Sequence, residues 1–160
     1  MRRSAVLAIL LVLALGGVAQ AKPLVASVNG TYTYVTNPDN PGSGRTISLS
    51  ARATDPVKGT FTAVVADTAF TGPVTCLRVV GADAWLAGPV TSGATVGAVF
   101  MWVHDAGVPG WAGDTAFTWF ADPGQTLADM EALCDSMTTS PYGIDPFHVV
   151  SGNVTVHPAR

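Results

Sequence analysis

The chain carries few charged residues, and fewer of these are basic than acidic. Of its 160 residues, 8 are Lys or Arg and 11 are Asp or Glu, which gives a net charge of −3 at pH 7. Because no basic stripe is present to neutralise phosphates, the composition argues against nucleic acid as a partner. It also argues against electrostatic docking on anionic lipid. Only Glu131 is glutamate, and the excess of aspartate favours turns and caps over helices.

Motifs for catalysis and for metal binding are also lacking. No serine lies in a Gly-x-Ser-x-Gly elbow, so serine hydrolase chemistry has no support. His104, His148 and His157 are too scattered to indicate a transition-metal site. We therefore expect no cofactor and no metal, and favour a binding or structural protein over an enzyme.

Cysteine is scarce, and the two that occur predict a disulfide. Cys76 and Cys134 form an even pair in a small chain with a leader, which is the usual setting of a structural disulfide. The alternatives are two free thiols or half of a metal site. Zinc is disfavoured because the cysteines are not in a C-x-x-C arrangement. If they are bonded, no nucleophilic thiol remains.

The first 21 residues have the features of a signal peptide. Met1-Arg2-Arg3 is basic, residues 5–14 are continuously apolar, and Ala19-Gln20-Ala21 offers a cleavage site. The apolar run is shorter than the ~20 residues of a membrane span. We predict a secreted protein whose residues 22–160 form a single β-domain without an integral membrane segment.

The remainder of the chain is typical of an antiparallel β-protein. Thr, Val and Gly are frequent, and turn signals recur between segments that alternate polar and apolar residues. Residues 95–104 are apolar on both faces, which predicts a central strand covered on both sides. The eight predicted strands are 25–36, 45–53, 59–66, 74–80, 84–90, 95–104, 115–121 and 147–156.

One segment has helical periodicity. Leu127, Met130, Leu133, Cys134 and Met137 recur at three- and four-residue spacings, which predicts a helix over 126–137. A Cys76–Cys134 bond would attach this helix to the sheet. Because sequential strands usually pair, we predict an all-β meander of about eight strands that forms a closed or nearly closed barrel. A two-sheet sandwich is the alternative.

Three further segments resemble a family of small exported bacterial proteins of unknown function. Residues 74–88 are similar to its VTxLxVxGNxAxFxG stretch, residues 103–110 to its VxDNGxPG loop, and residues 152–157 to its GNVxVH closure. The resemblance spans residues 59–157. It implies export and an all-β fold but supplies no activity. Ala106 replaces the usual Asn, and Phe117 is further from Asp114 than the family pattern expects.

Three polar residues are the weak candidates for catalysis. His104 and Asp105 end the predicted central strand, and Asp114 closes the Gly/Pro-rich loop that follows. His104 could act as a base oriented by Asp114 at a barrel mouth. The alternative is that Asp105 and Asp114 cap the loop through backbone hydrogen bonds. Calcium binding by these oxygens is a further option, although the loop lacks alternating acids.

Aromatic residues are the candidates for binding. Trp111 lies in the same loop, where it could stack on a sugar or a partner, or fold back over the barrel end. Tyr32 and Tyr34 are the other candidates, whereas Trp85, Trp102 and Trp119 are expected in the core. We hypothesise an exported domain that binds a small apolar molecule, a glycan or a surface protein. An enzyme at the barrel mouth and a purely structural accessory domain are the alternatives.

Overall fold

Nine β-strands and one α-helix form the protein in the computed structural model, which describes residues 25–37, 39–93, 97–108, 110–138 and 147–159. The predicted leader at residues 1–21 lies outside these ranges. The strands are β1 (Ser27–Val35), β2 (Gly44–Arg52), β3 (Lys58–Val65), β4 (Thr68–Pro73), β5 (Cys76–Val80), β6 (Asp83–Pro89), β7 (Ala98–His104), β8 (Thr115–Phe120) and β9 (Phe147–His157). The helix is α1 (Leu127–Ser136).

Strand β4 has no counterpart among the eight strands predicted from the sequence. It is six residues long and ends in Gly72-Pro73, so no clear alternation marks it. The hairpin that joins it to β3 turns at Ala66 and Asp67, with φ of 45° and 64°. Positive φ at both central residues suits the twist of a two-residue hairpin, but such turns usually contain Gly or Asn. The turn is therefore hard to recognise in the sequence.

All nine strands belong to one antiparallel sheet that curls through 274°, which confirms the predicted nearly closed barrel. Strands that follow one another in the chain are neighbours, except that β4 does not pair with β5. The first strand, β1, also pairs with the last, β9. Strands β4 and β5 are the two edges of the sheet and do not pair with each other. The chain passes directly from one to the other, and Thr71 of β4 forms an isolated bridge with Ser92, which follows β6. A Cβ at Gly72 would collide with the carbonyl of Pro89, which limits this position to glycine.

The inside of the barrel is filled with side chains. Alternate residues of every strand point inward, and most are apolar and fully buried. The large ones among the described residues include Tyr32, Tyr34, Ile47, Phe61, Leu86 and Met101. Little space is left for a ligand at the barrel centre.

A second, smaller core lies outside the barrel. Helix α1 packs on the outer face of β5, β6 and β7, where Trp85, Phe100 and Trp102 meet Met130 and Cys134. Strand β7 is therefore buried on both faces from Ala98 to Val103, as predicted for this segment. Cys134 forms a disulfide with Cys76 across this layer, which confirms the predicted pairing.

The start of helix α1 is defined by its cap. The Thr126 side chain accepts a hydrogen bond from the backbone N–H of Asp129, and the Asp129 carboxylate accepts one from the backbone N–H of Thr126. This reciprocal pair is a capping box in which Asp replaces the usual Glu. Within the described residues, no helix is long and apolar enough to cross a membrane.

Candidate functional site

The aspartates of the loop between β7 and β8 bind backbone groups. Asp105 accepts hydrogen bonds from the backbone N–H groups of Gly107 at 2.8 Å and Val156 at 2.9 Å. Asp114 is only 1% exposed, and its Oδ1 accepts a 3.0 Å bond from the backbone N–H of Ala106. Its Oδ2 is buried and has no partner among the described residues. These contacts correspond to the loop-capping alternative.

His104 does not pair with Asp114, so the expected acid–base pair is not formed. The carboxylate next to His104 is Asp83, whose Oδ1 lies 3.0 Å from His104 Nδ1. Asp83 is the direct neighbour of His104 across the β6–β7 ladder. The same Oδ1 accepts a 3.0 Å bond from Nε1 of Trp102. Asp83 thus connects two β7 side chains, one of which belongs to the outer core.

The aromatic candidates have different environments. Trp111 is 47% exposed at the loop surface. Tyr32 and Tyr34 point into the barrel with 1% and 0% exposure, so they are not available as a surface binding pair. Burial raises the pKa of Tyr32 well above that of a free tyrosine, and it also raises the pKa of Tyr34. Trp119, expected in the core, is half-buried and lines a surface groove.

That groove has a volume of about 510 Å³ and lies between α1 and the outer face of β8. Met130 and Leu133 contribute apolar atoms, while Gln125, Asp129 and Ser136 contribute polar ones. A cluster of potential metal ligands on the other side of α1 comprises Cys76, Cys134 and Asp135. Because the two sulfurs are bonded to each other, they cannot act as thiolate ligands.

The most regular surface lies on the outside of the other half of the barrel. We call it the hydroxyl face. It consists of ten Ser or Thr residues and two Asn residues on five adjacent strands, and along each strand they alternate with residues that point into the barrel. The members are Asn29, Thr31 and Thr33 on β1; Thr46, Ser48 and Ser50 on β2; Thr60 and Thr62 on β3; Thr71 on β4; and Ser151, Asn153 and Thr155 on β9. All are exposed or half-buried, and none is charged.

The register of the sheet aligns these side chains in rows. The central row runs across the five strands through Asn153, Thr31, Ser48, Thr62 and Thr71. The rows on either side contain the remaining members, with Val64, Ala69 and Pro73 at their ends on β3 and β4. Strand geometry places neighbours within a row ~4.8 Å apart and successive rows ~6.7 Å apart.

Hydrogen bonds between neighbouring strands hold several of these side chains in place. Thr31 pairs with Ser48 at 3.0 Å, and Thr33 pairs with Thr46 at 2.9 Å. Ser50 donates to Asn29 at 2.7 Å. A shallow depression of about 200 Å³ crosses the face between β1 and β3. Such an ordered array suits a partner that offers hydroxyl groups at repeated positions.

The sequence contains part of the signal for the hydroxyl face. Alternation identifies Thr31 and Thr33 as one face of a strand, and Thr46, Ser48 and Ser50 as one face of the next. However, alternation cannot give the register between strands or the pairing of β1 with β9. Comparison of the chain with protein-family models, with curated proteins and with solved structures found no match.

Proposed function

We propose that this protein is a non-catalytic exported domain that binds a neutral, insoluble polysaccharide through its hydroxyl face. The observation that carries the proposal is the alignment of twelve hydroxyl and amide side chains in rows across five strands. The family resemblance supports export and does not bear on the partner. The predicted leader and the disulfide support the same location.

The chemistry of the face favours a neutral partner with many hydroxyl groups. Each Ser or Thr hydroxyl has one donor and two acceptor positions, so Thr31 and Ser48 keep free positions while bonded to each other. An anionic polymer would need cations among these residues, and the three rows contain none; Arg52 and Lys58 lie in the next row, at one edge of the face. A sugar hydroxyl matches this donor and acceptor capacity without requiring a buried charge.

The extent of the face favours a polymer over a single sugar. One hydrogen bond between neutral groups contributes only about 0.5–1.5 kcal/mol, because both groups give up water. Useful affinity therefore requires many bonds formed together on a repeating partner. The cross-strand bonds of Thr33 with Thr46 and of Ser50 with Asn29 fix side-chain rotamers in advance, which lowers the entropy lost on binding.

Two of the three candidate catalytic residues, Asp105 and Asp114, support a non-enzymatic role. Asp105 and Asp114 bind the backbone of their own loop and of β9, and His104 is paired with Asp83. A general base must reach the proton it removes, and His104 and Asp114 do not form a pair that could share this task. The filled barrel interior likewise favours binding at the outer surface over an apolar ligand inside.

The proposal is tested by co-sedimentation with microcrystalline cellulose, chitin and curdlan. We expect the protein to be retained by at least one of these polymers, and retention to fall at least about fivefold in Thr31→Lys and Thr62→Lys, because a lysine in the central row blocks close contact. Ala132→Lys adds the same charge at an exposed position of α1 and is the control.

Two results would overturn the proposal. One is the absence of retention of the unmodified protein by all three polymers. The other is equal retention of the Thr31→Lys, Thr62→Lys and Ala132→Lys variants. Circular dichroism of each variant confirms that the sheet is intact before its retention is compared.

A further inference from the structure

A cleft of about 450 Å³ borders the hydroxyl face on the side of β9 that is turned away from β1. One wall is the loop between β7 and β8, which contributes Asp105, Val108 and two glycines. The other wall is β9, which contributes Asn153, Val154 and Thr155. The volume of the cleft is within the range of ~300–1,000 Å³ that is usual for small-molecule sites.

Two rows of the hydroxyl face end at this cleft. Asn153 is the β9 member of the central row, and Thr155 is the β9 member of the row that continues through Asn29. The two side chains are bonded to each other, since Nδ2 of Asn153 donates to Oγ1 of Thr155 at 3.2 Å. A polymer that lies along either row therefore reaches the cleft where it crosses β9.

The backbone of Val154 has unused hydrogen-bonding groups inside the cleft. Val156 donates its N–H to Oδ2 of Asp105, away from β1, and alternation along an antiparallel strand directs the N–H and carbonyl of Val154 the same way. Val154 is only 1% exposed, yet neither group has a partner on this side among the described residues. Buried backbone groups of this kind are rare and commonly indicate a water or a bound molecule that completes their bonds.

The groups that line the cleft are complementary to a sugar ring. Val154 offers one donor and one acceptor, and the Asn153 amide offers both. Asp105 is half-buried, and each of its carboxylate oxygens accepts one backbone hydrogen bond and keeps a second acceptor position. The exposed side chain of Val108 adds an apolar surface. A sugar has hydroxyl groups that both donate and accept, together with apolar C–H faces.

An extended peptide is the other kind of partner that uses an open strand edge. On β9, the neighbouring positions of this edge are already occupied, because Val149 donates to the carbonyl of Asp114 and Val156 donates to Asp105. Strands usually pair over about three residues or more. Among the described residues, Val154 is the one whose free edge groups line the cleft, so the cleft suits a compact ring better than a strand.

We propose that this cleft is a subsite for one sugar unit of the polysaccharide that contacts the hydroxyl face. Val154 and Asn153 exchange hydrogen bonds with the hydroxyl groups of the sugar, Asp105 accepts a further one, and Val108 contacts its C–H face. Hydrogen bonds to a charged group are stronger than those between neutral groups. The inference rests on the proposed function, because the same polymer supplies the sugar, and it adds that soluble oligosaccharides also bind.

The test is isothermal titration calorimetry with cellohexaose, chitohexaose and laminarihexaose, which are the soluble counterparts of the three polymers. We expect the hexaose of the retaining polymer to bind, and Val108→Lys to weaken its binding at least about tenfold, because the longer side chain occupies the cleft. Val80→Lys is the matched control, since Val80 is 45% exposed, Val108 is 46% exposed, and Val80 lies on β5 outside the cleft.

Calorimetry and co-sedimentation report on the two proposals separately. If a polymer retains the protein but its hexaose does not bind, the cleft is not a sugar subsite, while the hydroxyl face keeps its support. Equal hexaose affinities of Val108→Lys and Val80→Lys would likewise overturn the inference alone. If no polymer retains the protein, the proposed function fails, and this inference fails with it.

Discussion

Cys76 on the edge strand β5 and Cys134 on helix α1 are joined by a disulfide, with their Cα atoms 6.4 Å apart. The helix is ten residues long, and Met130 and Cys134 are its fully buried residues. An isolated helix of this length is only marginally stable in water. The disulfide therefore fixes the helix on the outer core at the point where its own packing is limited.

Breaking this bond is expected to lower the free energy of unfolding by about 4 kcal/mol in the chain-entropy description, because the cysteines are 58 residues apart. Urea unfolding with and without dithiothreitol measures the difference. The Cys76→Ser/Cys134→Ser double variant is the control and should not respond to the reductant. Unfolding free energies that agree within about 1 kcal/mol with and without reductant would contradict the expectation.

Replacement of Asp114 separates its acceptor role from its charge. Asp114→Ala leaves the Ala106 N–H without its partner and should cost about 1–3 kcal/mol. Asp114→Asn keeps an acceptor for this N–H and replaces the buried Oδ2, which has no partner, with a neutral amide NH2 group, so it should cost less than Asp114→Ala. Chemical denaturation compares the two. Equal losses in both variants would show that the carboxylate itself is required.

The stability that the helix cap contributes is expected to decrease at acid pH. The backbone N–H and the hydroxyl of Thr126 both donate to Asp129 and lower the pKa of its carboxyl group. Because the pKa is depressed in the folded state, the resulting stability is complete above the ordinary Asp pKa of about 4 and is lost as pH falls through the folded pKa. Asp129→Asn should therefore lower Tm at pH 7. The difference from the parent should shrink below about pH 4.

At alkaline pH the buried tyrosines are expected to destabilise the fold. Burial raises the pKa of Tyr32 well above its usual value, so the folded state keeps the neutral phenol and its stability falls as pH rises above about 10. Absorbance at 295 nm should show Tyr32 ionising only as circular dichroism reports unfolding. In Tyr32→Phe the unfolding transition should move to higher pH. Ionisation of Tyr32 before unfolding would contradict the expectation that burial keeps its phenol neutral in the folded state.

The fold was largely predictable because strand signals are local. The alternation of Ile47, Leu49 and Ala51 with polar residues identifies β2, and the doubly apolar segment that contains Phe100 identifies β7 as covered on both faces. Strand β4 was not predicted because it is short and because its turn at Ala66 and Asp67 lacks the Gly or Asn that usually marks such a turn. Its position depends on pairing with β3, which is a tertiary property.

The polar sites were less predictable because they depend on register. His104 and Asp114 flank one loop, and their proximity in sequence suggested a pair. The β6–β7 ladder instead sets Asp83 opposite His104, and the connection between these strands gives no indication of that register. Asp105 and Val156 are 51 residues apart, and the cleft beside them exists only because the sheet curls.

By itself, the sequence determined the all-β class, the helix that contains Cys134 and the cysteine pair, since periodicity and composition act over a few residues. The tertiary structure decided which polar groups face one another: the rows of the hydroxyl face, the Asp83–His104 pair and the placement of Asp105 beside Val154 and Val156. Side-chain alternation specifies a face but not a neighbour. Neighbours are fixed when strands choose a register that buries all their apolar faces together.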